Sequence, residues 1–297
     1  MVFMATILSK GLDISKYQPK VNWSEVKKAG YDFVIIKCGY RGWGSAGTLA
    51  TDPYFKSHIE GAYAAGLKVG IYWFTQAKTT AEAEAEADYC LKLIAPYKTK
   101  ISLPIYDDVE YGNNQHTGRA DNLTKAQYTA NALAFCKKIK NAGYQAGIYA
   151  CEDWCKNKLD IKQFSNAGYS IWCAKYSSNS PSIGVTYDIW QYSSTLKLSA
   201  ITDTAGKIVN VDVNNCYKNF GSSSPSSSWK KDSKGWTYGN VKSDWKKING
   251  YWYWFDTNGY AVTGWNKIKN VWYYFCTISD HDKTGYPECS CLEISKS

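Results

Sequence analysis

Two carboxylates two residues apart, Asp108 and Glu110, close the segment Ile105-Tyr106-Asp107-Asp108-Val109-Glu110. On an extended strand successive side chains alternate, so this pair shares one face. Two carboxyl groups within one side chain's reach resist losing both protons, so one keeps its proton at a raised pH while the other stays anionic. An acid with an anionic partner is what breaking a glycosidic bond requires. A solvated acidic strand end is the bland alternative, and the spacing alone does not choose between them.

Strand-like and helix-like segments alternate through the first two thirds of the chain, which predicts a parallel sheet covered by helices. Strands are expected at 11–15, 32–39, 67–75, 101–110, 144–150, 169–175, 186–192 and 207–213, with helices at 23–29, 53–65, 79–95, 124–141 and, shorter, 152–158. Eight strands suffice to close a barrel. The last three follow one another with little helix between, so the barrel is expected to be irregular. In a parallel barrel reactive groups gather at the C-terminal strand ends. Asp13 falls near the end of the first expected strand, Asp108 and Glu110 at the end of the fourth, and Asp212 at the end of the eighth. Each alone has a structural excuse: Asp13 precedes Ser15 and could cap a turn, and Asp212-Val213-Asn214-Asn215 reads as an Asx turn. Convergence of all four on one rim is the reading that turns the pair into a site.

Composition narrows the class. The net charge of +9 is spread as +3 over residues 229–297 (10 Lys against 7 Asp and Glu) and +6 over the rest (25 against 19). Neither part carries a basic run, so nucleic acid is not an expected partner, and a diffuse positive charge suits an anionic wall surface or simple solubility. No apolar stretch approaches the ~20 residues of a membrane span. Residues 1–10 lack the basic start and long apolar centre of a signal peptide, so no export address is read and release by lysis is compatible. Of ten cysteines, Cys38, Cys90, Cys136 and Cys173 lie in apolar segments and read as buried thiols. Cys151, Cys155, Cys276, His281, Cys289 and Cys291 match no strong zinc spacing, so neither a metal nor a cofactor is expected.

Several motifs in order resemble the family 25 glycoside hydrolases: Gly11-Leu12-Asp13-Ile14-Ser15, Phe33-Val34-Ile35-Ile36-Lys37, Gly70-Ile71-Tyr72-Trp73-Phe74, Asp108-Val109-Glu110, Gly147-Ile148-Tyr149, Trp190-Gln191-Tyr192 and Val211-Asp212-Val213-Asn214. The resemblance spans residues 10–220. It implies an α/β fold, an irregular (β/α)5β3 TIM-like barrel, and a lysozyme that cleaves bacterial peptidoglycan between N-acetylmuramic acid and N-acetylglucosamine. It also implies that Glu110 is the general acid and that Asp13, Asp108 and Asp212 complete the acidic cluster. The physics agrees, since Glu110 is one methylene longer than its partners and nearby negative charge raises its proton affinity. Asp108 would then stabilise positive charge at the anomeric carbon or orient the sugar's own acetamide for attack, with retention of configuration.

Tyr72, Tyr106, Tyr149, Trp172 and Trp190 offer flat faces for pyranose rings, with barrel packing as the competing role. Lys37 is expensive to bury alone and is expected to reach a carboxylate at the mouth. Tyr40 and Arg41 extend the same rim, Arg41 facing either a substrate carboxylate or solvent. Cys38 and Cys173 lie near the expected cleft with no histidine nearby, which argues against a Cys–His nucleophile.

A Gly/Ser/Pro tract at 221–228 reads as a linker between a catalytic barrel at 1–220 and an aromatic tail at 229–297. The tail holds seven of the 13 tryptophans and repeats with a period of 20 residues: Trp245 with Trp265, Trp252 with Trp272, Tyr253 with Tyr273. Each unit is expected to be a small hairpin closed by a turn such as Asp256-Thr257-Asn258-Gly259. The segment resembles bacterial cell-wall-binding repeats, including choline-binding modules, which implies that those six rings bind choline or another wall polymer. Action outside the cell or at the wall follows from that likeness. A non-catalytic wall-binding protein and a chitinase-like hydrolase remain as alternatives.

Overall fold

A computed structural model describes residues 6–220, 229–239, 241–248, 251–284 and 286–295. The expected linker at 221–228 lies outside the described residues. The chain divides into two compact units, 1–223 and 224–297.

The first unit runs β1 (Ser9–Ile14), a short β2 (Lys20–Val21), α1 (Trp23–Lys28), β3 (Phe33–Arg41), a short β4 (Leu49–Thr51), α2 (Phe55–Ala64), β5 (Lys68–Phe74), α3 (Thr80–Ile94), β6 (Ile101–Asp108), α4 (Lys125–Asn141), β7 (Ala146–Cys151), α5 (Glu152–Asn157), α6 (Ile161–Asn166), β8 (Ser170–Ala174), β9 (Ile189–Thr202) and β10 (Ile208–Cys216). Side-chain caps start three helices: Asn22 accepts from the backbone N–H of Glu25, Thr79 from that of Glu82 and Thr124 from that of Gln127. Each satisfies a donor that the first helical turn leaves orphaned.

Eight strands close on themselves in the order β1-β10-β9-β8-β7-β6-β5-β3, with β3 returning to β1. Five β-then-helix units followed by three strands make the irregular (β/α)5β3 barrel. The six pairings from β1 through β3, β5, β6, β7 and β8 to β9 are parallel. β10 runs antiparallel to both β9 and β1. This corrects the expectation that Asp212 reaches the mouth at the C-terminal end of a parallel eighth strand. β10 continues beyond it to Cys216, and Asp212 comes to the rim because register sets it directly opposite Asp13.

Alternation divides the apolar residues into two cores. Leu12, Ile14, Val34, Ile36, Val69, Ile71 and Ile148 face the helices. Phe33, Ile35, Tyr106, Tyr149, Trp172 and Ile189 fill the barrel. Gly147 makes room for this filling: a Cβ there would stand 2.5 Å from the Tyr106 ring. Cys38, Cys90, Cys136 and Cys173 are buried thiols, and the Sγ atoms of Cys38 and Cys90 lie 3.5 Å apart. No described helix is long and apolar enough to cross a membrane.

The second unit contains hairpins β11 (Trp229–Asp232) with β12 (Gly235–Tyr238), β13 (Asp244–Ile248) with β14 (Tyr251–Phe255), and β15 (Gly264–Ile268) with β16 (Val271–Phe275), followed by α7 (Ile278–Thr284) and β17 (Cys291–Ser295) beside β16. The 20-residue period is structural: Lys246 faces Tyr253 as Asn266 faces Tyr273. Trp229 packs on Tyr253 and Phe255 at 4.8 and 5.8 Å, and Trp245 repeats this on Tyr273 and Phe275 at 4.8 and 5.6 Å. The turn expectation needs correction. Asp256–Gly259 links one hairpin to the next, where Asp256 accepts from the N–H groups of Asn258 and Tyr260, while the β15–β16 hairpin turns at Lys269 and Asn270 with φ of 47° and 68°.

Candidate active site

Inward-facing residues on seven strands meet at one end of the barrel. Asp13 and Asp212 are hydrogen-bonded to each other, and Oδ2 of Asp13 accepts from the side-chain amides of Gln191 at 2.9 Å and Asn214 at 2.8 Å. Burial, then the charge of Asp212, pushes the Asp13 carboxyl well above the ordinary range; burial also raises Asp212. With Oδ2 taken by two N–H donors, this pair is built to share one proton through its remaining oxygens.

Asp108 ends β6 in a buried position with Oδ1 unpartnered. Burial drives its carboxyl well up, the charge of Glu110 adds to this, and Lys37 opposes it. Glu110 lies just past the strand and is solvent-exposed through a cleft, while protein surrounds its carboxyl on the other sides. Its proton affinity is raised by that enclosure and by Asp212, against Lys37. The larger rise belongs to Asp108, because it is the deeper of the two; side-chain length alone favours Glu110. Burial draws the Lys37 ammonium down in pKa, opposed by Asp108, Glu110 and Asp52. Lys37 closes no ion pair among the described residues, contrary to expectation; its Nζ stands 4.6 Å from the centre of the Phe74 ring.

The cleft has a volume of about 670 Å³. Lys37, Tyr40 and Glu110 line it, with Lys16, Tyr17, Trp43, Asp52, Phe74, Tyr111, His116 and Trp154. Tyr72 and Tyr149 stand among the acids: burial raises both hydroxyls, and the charges of Asp13 and Asp108 contribute to each. Tyr149 donates to Gln191 Oε1 at 2.9 Å.

Three expected sugar platforms are placed elsewhere. Tyr106 and Trp172 are sealed beneath the carboxylates, their rings 5.3 Å apart, with Tyr106 Oη 3.0 Å from Ser170 Oγ and Trp172 Nε1 donating to Asn214 Oδ1 at 2.8 Å. They form the floor on which Asn214 and the acids rest, with no face open to a sugar. Trp190 lies on the opposite side of β9 from Ile189 and Gln191, which point inward; its Nε1 donates to the Lys175 carbonyl at 2.9 Å. Arg41 is neither solvated nor at the rim: it is buried against Glu86, Nε to Oε1 2.6 Å.

Sequence reasoning missed Lys16, Tyr17, Trp43, Asp52, Tyr111, His116 and Tyr176. The stacked pair Tyr111 and His116, ring centres 3.7 Å apart, forms a cleft wall. Tyr176 donates to Gln191 Oε1 at 2.9 Å. These residues sit in loops after the strands, where no periodicity marks them. Gln191 and Asn214 were inside quoted motifs and carried a signal, as inward neighbours of the acids. No group of three or more His, Cys, Asp or Glu among the described residues is arranged to hold a metal.

The sequence model described as Glycosyl hydrolases family 25 matches residues 12–201, and the one described as Choline-binding repeat matches residues 241–283. An autolytic lysozyme of Clostridium acetobutylicum is 26% identical over 198 residues, covering 66% of this chain and 54% of that protein. Lysozyme M1 of Streptomyces globisporus is also 26% identical over 198 residues, covering 65% and 64%. The chain thus spans between about half and two thirds of these relatives' length. Among solved structures, the bacterial lysozyme from Streptomyces coelicolor has a TM-score of 0.56 at 25% identity over 72% of this chain and 93% of that one. With the family match running across more than half of its length and the barrel and acids assembled as described, the chain belongs to the family 25 glycosyl hydrolases.

Proposed function

We propose that the protein is a muramidase that hydrolyses the β-1,4 bond between N-acetylmuramic acid and N-acetylglucosamine in bacterial peptidoglycan. The observation that carries this reading is that Glu110, alone of the four clustered acids, lines the cleft, with Asp13 and Asp108 buried and Asp212 half-buried beside them. That the curated relatives are lysozymes supports it. Glu110 gives its proton to the glycosidic oxygen as the C–O bond breaks and the bonding pair leaves with the oxygen. The acetamide oxygen of the same sugar attacks the anomeric carbon, and Asp108 accepts from the acetamide N–H. Glu110 then deprotonates the water that opens the cyclic intermediate, giving retained configuration. In the empty cleft the deeper Asp108 competes for the proton; a sugar ring covering Glu110 removes its water and moves the proton toward it. The shared proton of Asp13 and Asp212 keeps the net negative charge behind the site low enough for Asp108 to ionise.

The tail serves as a wall anchor in this reading, with Trp252, Trp265 and Trp272 presenting exposed rings to choline or another wall polymer. The protein therefore acts at the bacterial wall.

Glu110→Gln should abolish clearing of purified walls, a loss of at least about 10³-fold, while wall sedimentation of the protein persists. Equal lysis by that variant refutes the acid assignment. Muramic acid at the new reducing ends is the expected product, with the retained anomer first by NMR. Release of chitin fragments with no muramyl ends would favour a chitinase-like hydrolase, and the inverted anomer would exclude acetamide attack.

A further inference from the structure

We propose that Lys16 and Lys37 form a carboxylate-recognition site inside the cleft, taking the acidic lactyl or peptide group carried by the muramic residue. This rests on the muramidase reading and names the feature by which a muramyl glycan is told from one built of N-acetylglucosamine alone.

Lys16 follows β1 and Lys37 lies on β3, yet both ammonium groups stand over the same ring, that of Tyr40, at 5.8 and 5.7 Å from its centre. The fold therefore brings two like charges together in the cleft that Glu110 also lines. The Lys16 charge is one of the causes that lower the proton affinity of Lys37. Among the described residues no carboxylate is in ion-pair contact with either ammonium.

The charges of Asp108, Glu110 and Asp52, in that order, act on Lys37 from beyond ion-pair distance. Asp52 lines the cleft, but its Oδ2 accepts from the backbone N–H of Lys16 at 2.9 Å and its Oδ1 from that of Tyr54 at 3.0 Å. Glu110 must carry a proton to act, so its charge is absent from the pair at the moment of reaction, and the buried Asp108 is not in ion-pair contact with either ammonium. Repulsion between two ammonium groups in a partly enclosed cleft is relieved when an anion enters between them. A carboxylate fits, since its two oxygens can each take a charge-assisted hydrogen bond. N-acetylmuramic acid differs from N-acetylglucosamine by its lactyl ether, so such a site reads the one group that separates the two sugars. A site with charges waiting for a partner rejects the analogue that lacks it.

The test measures binding by calorimetry in the Glu110→Gln full-length protein, so that no turnover is needed. The ligands are a peptide-free muramyl glycan, the peptide-bearing glycan, and the peptide-free glycan after reduction of its lactyl carboxyl to an alcohol. Reduction should weaken binding about tenfold. Adding Lys16→Ala should weaken the acidic glycans by a similar factor and erase the preference over the reduced one, whereas Lys16→Arg should keep it. Tighter binding of the peptide-free glycan assigns the lactyl carboxylate, and tighter binding of the peptide-bearing glycan assigns the peptide. Equal binding of acidic and reduced glycans overturns the proposal, as does an equal effect of Lys16→Ala on both. Inorganic phosphate displacing the acidic glycan as well as acetate-level carboxylate does would transfer the site to phosphate and overturn the carboxylate assignment. Failure of the unaltered protein to release muramic-acid ends would refute the muramidase reading through a separate measurement.

Discussion

Asp107 and Asp108 are neighbours on β6, and alternation sends them to opposite sides of the barrel wall. Asp108 joins the acids. Asp107 is buried on the helix side, and neither of its oxygens has a hydrogen-bond partner among the described residues. Burial, then the charges of Glu86 and Cys90, push its carboxyl well above the ordinary range. The folded state therefore holds this proton more tightly than the unfolded chain does. Its contribution to stability is complete below the unfolded pKa of about 3.9 and is lost as pH rises through the higher folded value. Asparagine is the neutral isostere and cannot ionise. Asp107→Asn should leave the melting temperature nearly unchanged at pH 4 and raise it at pH 8. A gain of about 1–3 kcal/mol is expected, at about 2–4 °C for each kcal/mol. An effect independent of pH would show that Asp107 is not protonated in the fold. The sequence singled out this very segment, but for the face shared by Asp108 and Glu110; the same alternation, applied to the other face, marks Asp107 as a carboxyl aimed into a helix layer. Trp190 escaped for the same reason, since Gln191 was the inward member of its motif.

Elements were more legible than their directions. Apolar runs and the eight-strand count follow from local composition, whereas the reversal of β10 leaves no trace in periodicity, because a strand reads alike in both directions. Strand ends were read short where alternation turned polar: β9 continues to Thr202 along partly exposed positions, and β3 runs past Gly39 to Arg41. That extension matters to the cleft. Arg41 Nε bonds Glu86 on α3, its two terminal nitrogens donate to the carbonyls of Gly47 and Glu82, and Glu86 also accepts from Thr75 Oγ1 and the N–H of Gln76. Nearby, Arg119 binds both carboxylate oxygens of Glu82, and its N–H donates to the Trp43 carbonyl. One buried guanidinium thereby ties the loop after β3, the end of β5 and the start of α3, which together hold one side of the cleft. Arg41→Ala strands the Glu86 carboxylate in the core and should cost about 3–5 kcal/mol in urea unfolding. Arg41→Lys should recover only part of this, because an ammonium cannot reproduce the planar fork. A loss below about 1 kcal/mol for the alanine variant would show that water or another donor replaces the guanidinium.

At the scale of the molecule, the chain divides into two units with separate cores. The tail's repeat was legible because each 20-residue unit carries the same rings at the same offsets, and the stacking of Trp229 and Trp245 on successive hairpins uses that periodicity directly. Which rings stay outside was not legible, since exposure depends on the neighbouring hairpin: Tyr253 is buried, whereas Trp252, its neighbour in sequence, is half exposed. The proposed anchoring rests on the exposed tryptophans that repeat along this small domain, Trp252, Trp265 and Trp272. If they anchor the protein to the wall, the barrel meets glycan at the high effective concentration set by its tether, and its chemistry on small fragments is independent of the anchor. Deletion of residues 222–297 should therefore reduce co-sedimentation with purified walls at least about tenfold and slow wall clearing, while kcat/KM on soluble muropeptide chains stays within about twofold. Undiminished sedimentation would remove the anchoring role and leave the exposed rings as packing surface. A parallel fall on soluble chains would instead mean that the tail supports the cleft itself.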